Sequence, residues 1–179
     1  EIHKLLQIFE PDAVLTENIW GYLWGKLAYG AMLFATALNN DSMADNFADQ
    51  HRTKLWIAIG REVMGLATRK GIQPLGFNGF DPIAYLPGAT DSEAQTSVKE
   101  MAEFNRMSAK THSGIWRDLA VRKRKTEVTE QLGILVELAN EVDFDAPLIK
   151  LIIDLIHDVE NGQREMSSET FAVLLDRCE

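Results

Sequence analysis

An unusually apolar segment near the start of the chain limits what the chain can fold into. Residues 18–38, NIWGYLWGKLAYGAMLFATAL, carry one charged side chain, Lys26, near the middle. The segment is about as long as a membrane-spanning helix, but a lysine at the centre of such a helix costs roughly 2.5–3.5 kcal/mol. Three glycines and two tyrosines also make it less apolar. It therefore predicts a buried central helix, in which Lys26 needs a charged partner or a function.

The charge balance of the chain excludes some classes of partner. The 179 residues carry a net charge of −9, whereas surfaces that bind nucleic acids are basic. The compact basic run RKRK, residues 122–125, is typical of a solvated helix end. The single cysteine, Cys178, cannot form an intrachain disulfide and suits a reducing compartment. We therefore expect a cytoplasmic protein that binds neither nucleic acid nor a membrane.

Apolar residues recur with helical spacing along the chain, and no segment alternates as a strand does. The sequence therefore predicts an all-α fold, with an apolar loop at 71–90 that packs on the helices. Local signals mark several helix ends: Ser42, Asp91 and Ser113 as N-caps, Pro147 as a first residue and Gly71 as a stop. The helices are predicted at residues 2–9, 17–38, 43–47, 51–70, 92–108, 114–122, 127–142, 147–162 and 168–177.

The first predicted helix follows directly from the first residue of the chain. The opening segment EIHKLLQIF already has the apolar spacing of a helix, and no signal peptide precedes it. This start indicates a piece cut from a longer protein. We interpret residues 1–15 as the tail of a preceding domain and the crossing from it, and residues 16–179 as one helical domain.

Two groups of polar residues have structural explanations that are stronger than functional ones. Asp41, Asp45 and Asp49 lie close to His51 in the sequence. The histidine is out of helical phase with the aspartates, so we predict a solvated acidic turn and no metal site. His157 lies between apolar positions and is expected to form a hydrogen bond at a helix interface.

Four residues remain as candidates for chemistry. Lys26 is predicted to point into the interior or a cleft, and Gly30, one helical turn later, leaves room beside it for a ligand or another backbone. Lys26 could equally extend to the rim of the domain and pair with a glutamate. Glu127, at a predicted helix start, is favoured there by the helix dipole alone, and Ser113 is explained equally well as an N-cap.

Three sequence patterns occur in an order that resembles a known family. They are WGKL in the long apolar helix, EVMGLATRKGI in residues 62–72, and HSGIWRDL followed by KTEV in residues 112–128. Together they resemble the C-terminal domain of ketopantoate reductases (2-dehydropantoate 2-reductases), over essentially the whole chain. The resemblance implies a helical domain similar to that of 6-phosphogluconate dehydrogenase, preceded by an N-terminal Rossmann domain that binds NADPH.

The resemblance also implies an activity and the residues that perform it. Enzymes of this family reduce a 2-oxo acid to the 2-hydroxy acid, in pantothenate biosynthesis, in a cleft between the two domains. Lys26 corresponds to the lysine that acts as general acid, and Glu127 to the glutamate that helps to hold lysine and substrate. Ser113 and Asp118 correspond to the substrate-binding segment, and Gly30 to a further substrate-binding position.

The sequence departs from the family at two of these positions. Gly30 and Phe34 stand where the family typically has asparagines that help to hold the hydroxy acid. The resemblance therefore implies the type of reaction more strongly than the substrate, which is 2-dehydropantoate or a related compound. Glu62 corresponds to a family glutamate that we interpret as structural.

A second hypothesis, from another class, is a helical interaction module without catalytic activity. The long apolar helix would then form the seam of a dimer, and Lys26 would contribute to specificity. Helical domains of this type often dimerise, so a homodimer is compatible with both hypotheses. The two differ in whether a strand and a glycine-rich nucleotide-binding loop precede the chain.

Overall fold

The computed structural model describes residues 1–178, and this part of the chain is helical, without a β-sheet. The predicted all-α fold is confirmed. The helices are α1 Ile2–Phe9, α2 Ile19–Thr36, α3 Met43–Ala48, α4 Thr53–Arg69, α5 Asp91–Met107, α6 Gly114–Arg117, α7 Ile134–Glu141, α8 Pro147–Glu160 and α9 Ser168–Asp176. Short 3-10 helices lie at Gln50–Arg52 and Pro82–Tyr85, and π-helical segments at Asp118–Arg122 and Thr129–Gly133. Among residues 1–178, every helix is too short or too polar to span a lipid bilayer.

Helix α2 forms the centre of the domain and packs against α4 and α8. Its C-terminal half is buried from solvent, including Met32, Phe34 and Ala35. Burying one large apolar side chain stabilises a fold by about 1.5–3 kcal/mol, so this half of α2 is a major contributor to the core. The remaining helices cover it, with α3 against α5 and α9 against α8.

Polar caps fix where several helices begin. Ser42 and Ser113 accept hydrogen bonds from backbone N–H groups in the first turns of α3 and α6, as predicted. The predicted cap Asp91 is wrong by one residue, because Thr90 is the N-cap of α5. The Thr90 hydroxyl accepts a bond from the Glu93 N–H at 3.3 Å, and the Glu93 carboxylate accepts one from the Thr90 N–H at 2.7 Å. This reciprocal pair satisfies two N–H groups instead of one.

Helix α8 is capped from a distance by a carboxylate of α4. Ala146, which precedes α8, offers no side-chain acceptor, and Glu62 takes over that role. Its two oxygens accept hydrogen bonds from the backbone N–H groups of Leu148 at 3.0 Å and Ile149 at 2.8 Å. Burial raises the pKa of Glu62 to about 7 despite these bonds. The structural role expected for Glu62 is therefore to join α4 to α8.

The loop of residues 71–90 packs on the helices, as predicted, and the helix half that it contacts is the N-terminal half of α2. The N–H of Leu75 donates a hydrogen bond to the carbonyl oxygen of Gly21 at 3.0 Å. A Cβ atom at Gly21 would overlap the carbonyl oxygen of Gln73, and one at Gly25 would overlap that of Leu75. These two glycines, one turn apart, let the loop backbone lie against the helix backbone.

Helix α1 projects from the rest of the domain. It buries none of its residues. A hydrogen bond from a His3 ring nitrogen to the Ala13 carbonyl oxygen, at 2.8 Å, helps to join it to the segment that follows. Its apolar side chains are exposed to solvent, including Ile2, Ile8 and Phe9. The described residues therefore leave an apolar helix without a packing partner.

Candidate functional site

A cleft of about 790 Å³ lies along the exposed side of α2. One wall is α2 itself, and the facing wall is the segment from α6 to α7, with its two π-helical stretches. Most of the candidate residues from the sequence analysis line this cleft. Its lining includes Lys26, Gly30, Gly114, Asp118, Thr126 and Glu127.

The wall formed by α2 presents Lys26 and Gly30 on successive turns. Asn18 caps the helix, its side-chain oxygen accepting from the Gly21 N–H at 3.0 Å, so the N-terminal half is fixed at its start. The Lys26 side chain is exposed and lines the cleft. A Cβ atom added at Gly30 would meet nothing within 4 Å. The room predicted beside Lys26 is therefore present on this wall.

The facing wall contains two π-helical segments that the sequence analysis missed. Asp118–Arg122 continues α6 with wider turns, and Thr129–Gly133 does the same before α7. Between them Lys123 adopts a left-handed conformation with φ 51°, which is uncommon for a residue with a side chain. Single-turn π-helices occur often at functional sites. Here they bracket the loop that carries Glu127.

Lys26 and Glu127 line the same cleft without forming an ion pair in this structure. The Glu127 carboxylate instead accepts a hydrogen bond from the Gln131 side-chain amide at 3.0 Å. Within residues 1–178, the Lys26 ammonium contacts no carboxylate and no hydrogen-bond acceptor. Lys26 is thus available to a ligand, with a negative charge on the opposite wall.

Asp118 lies between the cleft and the basic run that follows it. Its carboxylate accepts hydrogen bonds from Arg122 at 2.7 Å and Arg124 at 3.1 Å. The bonds from Arg124 and Arg122 hold the pKa of Asp118 below its usual value. Its oxygens are therefore engaged by arginines, and the basic run is folded back on this end of α6.

Thr126 anchors the cleft loop to α8. Its N–H and its hydroxyl both donate to one carboxylate oxygen of Glu160, at 2.6 and 2.7 Å. Hydrogen bonds to an ionised acceptor are stronger than neutral ones. Because Glu127 is the next residue, this anchor also sets where the Glu127 side chain begins.

Ser113 is buried and does not line the cleft. Its hydroxyl accepts the N–H of Trp116 at 3.1 Å, as an N-cap of α6. The next residue, Gly114, lines the cleft in its place. Ser113 therefore does not contact the cleft itself, and the residues next to it that do are Gly114 and Ile115.

The three aspartates and His157, which were set aside in the sequence analysis, have structural partners. Asp41 and Asp49 form ion pairs with Arg52, at 2.7 and 3.0 Å. His157 lies 3.0 Å from the hydroxyl of Thr129, as expected of an interfacial histidine. A second, smaller cavity of about 570 Å³ lies beside the basic run and α8.

Over residues 1–178, the fold and the cleft define a helical domain with one cation, Lys26, that has no partner in a largely apolar groove. Residues 18–160 match the family model described as ketopantoate reductase PanE/ApbA C terminal. The match covers most of the chain, so the chain belongs to this family, as the resemblance indicated. No curated protein and no solved structure matches the chain.

Proposed function

We propose that this chain is the substrate-side domain of an NADPH-dependent reductase that converts a 2-oxo acid, 2-dehydropantoate or a related compound, to the 2-hydroxy acid. The single observation that supports it best is the position of Lys26. The ammonium lines an open cleft, without a partner among residues 1–178, in a domain of the ketopantoate reductase family. A cation that is not neutralised by its own protein can bind the carboxylate or the carbonyl of such a substrate.

In this proposal Lys26 is the general acid. Bound NADPH would supply a hydride to the keto carbon of the substrate. Lys26 donates a proton to the carbonyl oxygen, which becomes the hydroxyl group, and its positive charge stabilises the developing alkoxide. The products are NADP⁺ and the 2-hydroxy acid. Because Lys26 is exposed at the cleft, the neutral amine can regain a proton from solvent.

The residues of the facing wall hold the reacting groups in this scheme. When the Lys26 side chain approaches it, the Glu127 carboxylate favours the protonated form of the lysine. Glu127 is oriented by its hydrogen bond with Gln131. Asp118 lines the cleft and is held in place by its ion pairs with Arg122 and Arg124. Ser113 acts through the helix start that it caps, which presents Gly114 to the substrate.

In this proposal, NADPH is bound by another domain of the full-length protein. Residues 1–178 include no strand followed by a glycine-rich loop that could hold the phosphates of NADPH. Residues 1–15, with the exposed apolar helix α1, fit the role of the connection to an N-terminal Rossmann domain. We therefore expect the 179-residue chain alone neither to bind NADPH tightly nor to turn over.

The exposed face of α1 also supports the alternative of an interaction module. Ile2, Leu5 and Phe9 lie more than half exposed, and apolar patches of this kind often mark interfaces between proteins. Most of α2 packs inside the domain, so a homodimer seam would use α1 and the exposed start of α2. Sedimentation of the chain with and without α1 distinguishes a dimer from a monomer.

The test is NADPH oxidation by the full-length protein against a panel of 2-oxo acids, with Lys26→Ala as the variant. We expect kcat/KM to fall roughly 100- to 10,000-fold, which is the usual contribution of a positioned general acid. Lys54→Ala, at an exposed lysine on α4 outside the cleft, is the control and should keep its activity. Full activity of Lys26→Ala would remove the catalytic assignment.

A further inference from the structure

The polar side chains of the cleft wall are largely used by the protein itself. The Asp118 carboxylate is engaged by Arg122 and Arg124, and the Gln131 amide by Glu127. A polar group of a substrate that approaches the Asp118 carboxylate or the Gln131 NH2 group would therefore have to compete with existing hydrogen bonds.

Two further polar groups of the wall are satisfied in the same way. The Tyr29 hydroxyl exchanges hydrogen bonds with the buried side chain of Asn105, at 3.1 and 2.9 Å. The hydroxyl of Thr126 is bound to Glu160. Within residues 1–178, the lining side chains whose polar groups hold no hydrogen bond are Lys26, Asn78 and the indoles of Trp20 and Trp24. Trp20 and Trp24 precede Lys26 on α2, whereas Gly30 and Phe34 follow it, so these groups can serve a polar end of a ligand at Lys26.

The other end of the cleft is apolar and roomy. Beyond Gly30 its wall is built from aliphatic and aromatic side chains. They include Leu33, Ile115, Ile134 and Leu138. Apart from the local backbone of α2, no atom of residues 1–178 lies within 4 Å of where a Gly30 Cβ would be, so the space beside it is open. Along α2, Gly30 is about 6 Å and Phe34 about 12 Å from Lys26, at about 1.5 Å per residue.

From this arrangement we infer that the substrate is a 2-oxo acid whose remaining chain is a bulky apolar group, branched aliphatic or aromatic, lying beside Gly30. Its carboxylate and carbonyl occupy the end of the cleft at Lys26, and the apolar group extends toward Phe34. The inference rests on the proposed function for the 2-oxo acid end and on the cleft alone for the apolar end. A hydroxyl on that chain would lose its water without gaining a partner.

A pair of matched substrates tests the inference. 3,3-Dimethyl-2-oxopentanoate differs from 2-dehydropantoate by a methyl group in place of the hydroxyl, so the two have nearly the same shape. We expect the full-length protein to prefer the methyl compound by about 10-fold or more in kcat/KM, because burying one additional carbon and avoiding one unpaired hydroxyl both favour it. An equal or higher kcat/KM for 2-dehydropantoate would overturn the inference and leave the proposed function in place.

A pair of variants at Gly30 locates the apolar group. Gly30→Leu fills the open space and should reduce kcat/KM for phenylpyruvate relative to pyruvate by at least 10-fold. Gly30→Ala is the matched control, since it changes the same helix position but fills little of the space, and should preserve most of the wild-type ratio. If Gly30→Leu leaves that ratio unchanged, the apolar group does not lie beside Gly30 and the inference is wrong.

Binding to the 179-residue chain separates this inference from the proposed function. Trp20 and Trp24 line the cleft, so their fluorescence reports its occupancy without NADPH. We expect 4-methyl-2-oxopentanoate to change the fluorescence at concentrations at least 10-fold lower than 2-oxoglutarate does. That result together with no reductase activity in the full-length protein would refute the function and support the apolar cleft, whereas equal binding of the two acids would refute the apolar cleft.

Discussion

The two faces of α2 use glycine for opposite purposes. Gly21 and Gly25 lie under the loop of residues 71–90, where the carbonyl oxygens of Gln73 and Leu75 occupy the space that Cβ atoms would need. Gly30 lies on the cleft side, and the corresponding space is empty. The first two glycines allow close packing, and the third leaves room.

This difference shows how one helix can be both scaffold and site wall. On its packed face, α2 is fixed by the loop and by its contacts with α4 and α8. On its open face, it carries Lys26 with no fixed partner among the described residues. Groups that act on a ligand need a rigid support, and here the packed face provides it. Substitutions on the two faces should therefore have opposite effects.

The largest effect is expected from filling the packed face. In Gly25→Ala the new methyl group would collide with the Leu75 carbonyl oxygen, which belongs to the backbone and cannot rotate away. Overpacking of this kind costs about 3 kcal/mol, so we expect the free energy of unfolding in urea to fall by about that amount. A loss below about 0.5 kcal/mol would mean that the loop does not lie against this face as described, since surface substitutions usually stay within that range.

The second effect concerns Glu62, the half-buried carboxylate that joins α4 to α8. The pKa of Glu62 is raised to about 7 from an ordinary value of 4.5, so the native state holds this proton more tightly than the unfolded state does. The contribution of Glu62 to the free energy of unfolding should therefore be largest below pH 4.5 and fall as the pH rises to about 7. The full shift corresponds to about 3 kcal/mol, and partial solvent screening reduces our expectation to about 2 kcal/mol.

Chemical denaturation across this pH range, for the wild type and Glu62→Gln, measures that contribution. The glutamine cannot ionise, and its one carbonyl oxygen accepts a hydrogen bond from only one of the two N–H groups that donate to Glu62. The variant should lose a constant amount of stability and, in addition, the part of the pH dependence that belongs to Glu62. If the free energies of unfolding of the two proteins changed with pH in parallel, the raised pKa of Glu62 would be contradicted.

The parts of the fold that depend on neighbouring residues could be predicted from the sequence. Ser42, Ser113, Pro147 and Gly71 mark helix ends through local hydrogen bonds and backbone preferences, which are visible in a few residues. The displaced cap at Thr90 arises because Thr90 and Asp91 are both good caps, and the reciprocal bond with Glu93 decides between them.

The parts that depend on distant residues could not be predicted in this way. A single π-helical turn widens the spacing from i,i+4 to i,i+5 over only a few residues, which is too short a change for the periodicity of the sequence to reveal. The role of Gly25 depends on a backbone oxygen of Leu75, about 50 residues later in the sequence. Motif order suggested that Lys26, Asp118 and Glu127 share a site, and the fold brings them to one cleft. The hydrogen bonds that already occupy Asp118 were not foreseeable from its neighbours.

A smaller effect is expected at the boundary between the packed and the open regions. Glu160 on α8 accepts both the N–H and the hydroxyl of Thr126, and thus ties the cleft loop to the core. Glu160→Ala should cost about 1.5 kcal/mol and increase hydrogen exchange at the Thr126 amide about 10-fold, as measured by NMR.

Glu165→Ala is the matched control for this change. Glu165 is exposed and lines the cavity of about 570 Å³ that Glu160 also lines. Its carboxylate holds no hydrogen bond within residues 1–178. It should leave the exchange at Thr126 unchanged. Equal exchange rates in the two variants would mean that the loop is held by something other than Glu160.

The smallest effect, and the one of opposite sign, is expected at Gly30. An alanine there meets no atom within 4 Å, so nothing opposes the gain in helix propensity. Gly30→Ala should therefore raise the free energy of unfolding by about 0.5–1 kcal/mol. Gly25→Ala makes the identical chemical change five residues earlier in the same helix. If the two variants change the free energy of unfolding in opposite directions, the difference must come from the surroundings of each position. If Gly30→Ala were destabilising, the space on the open face would be filled in solution, and the contrast between the two faces would not hold.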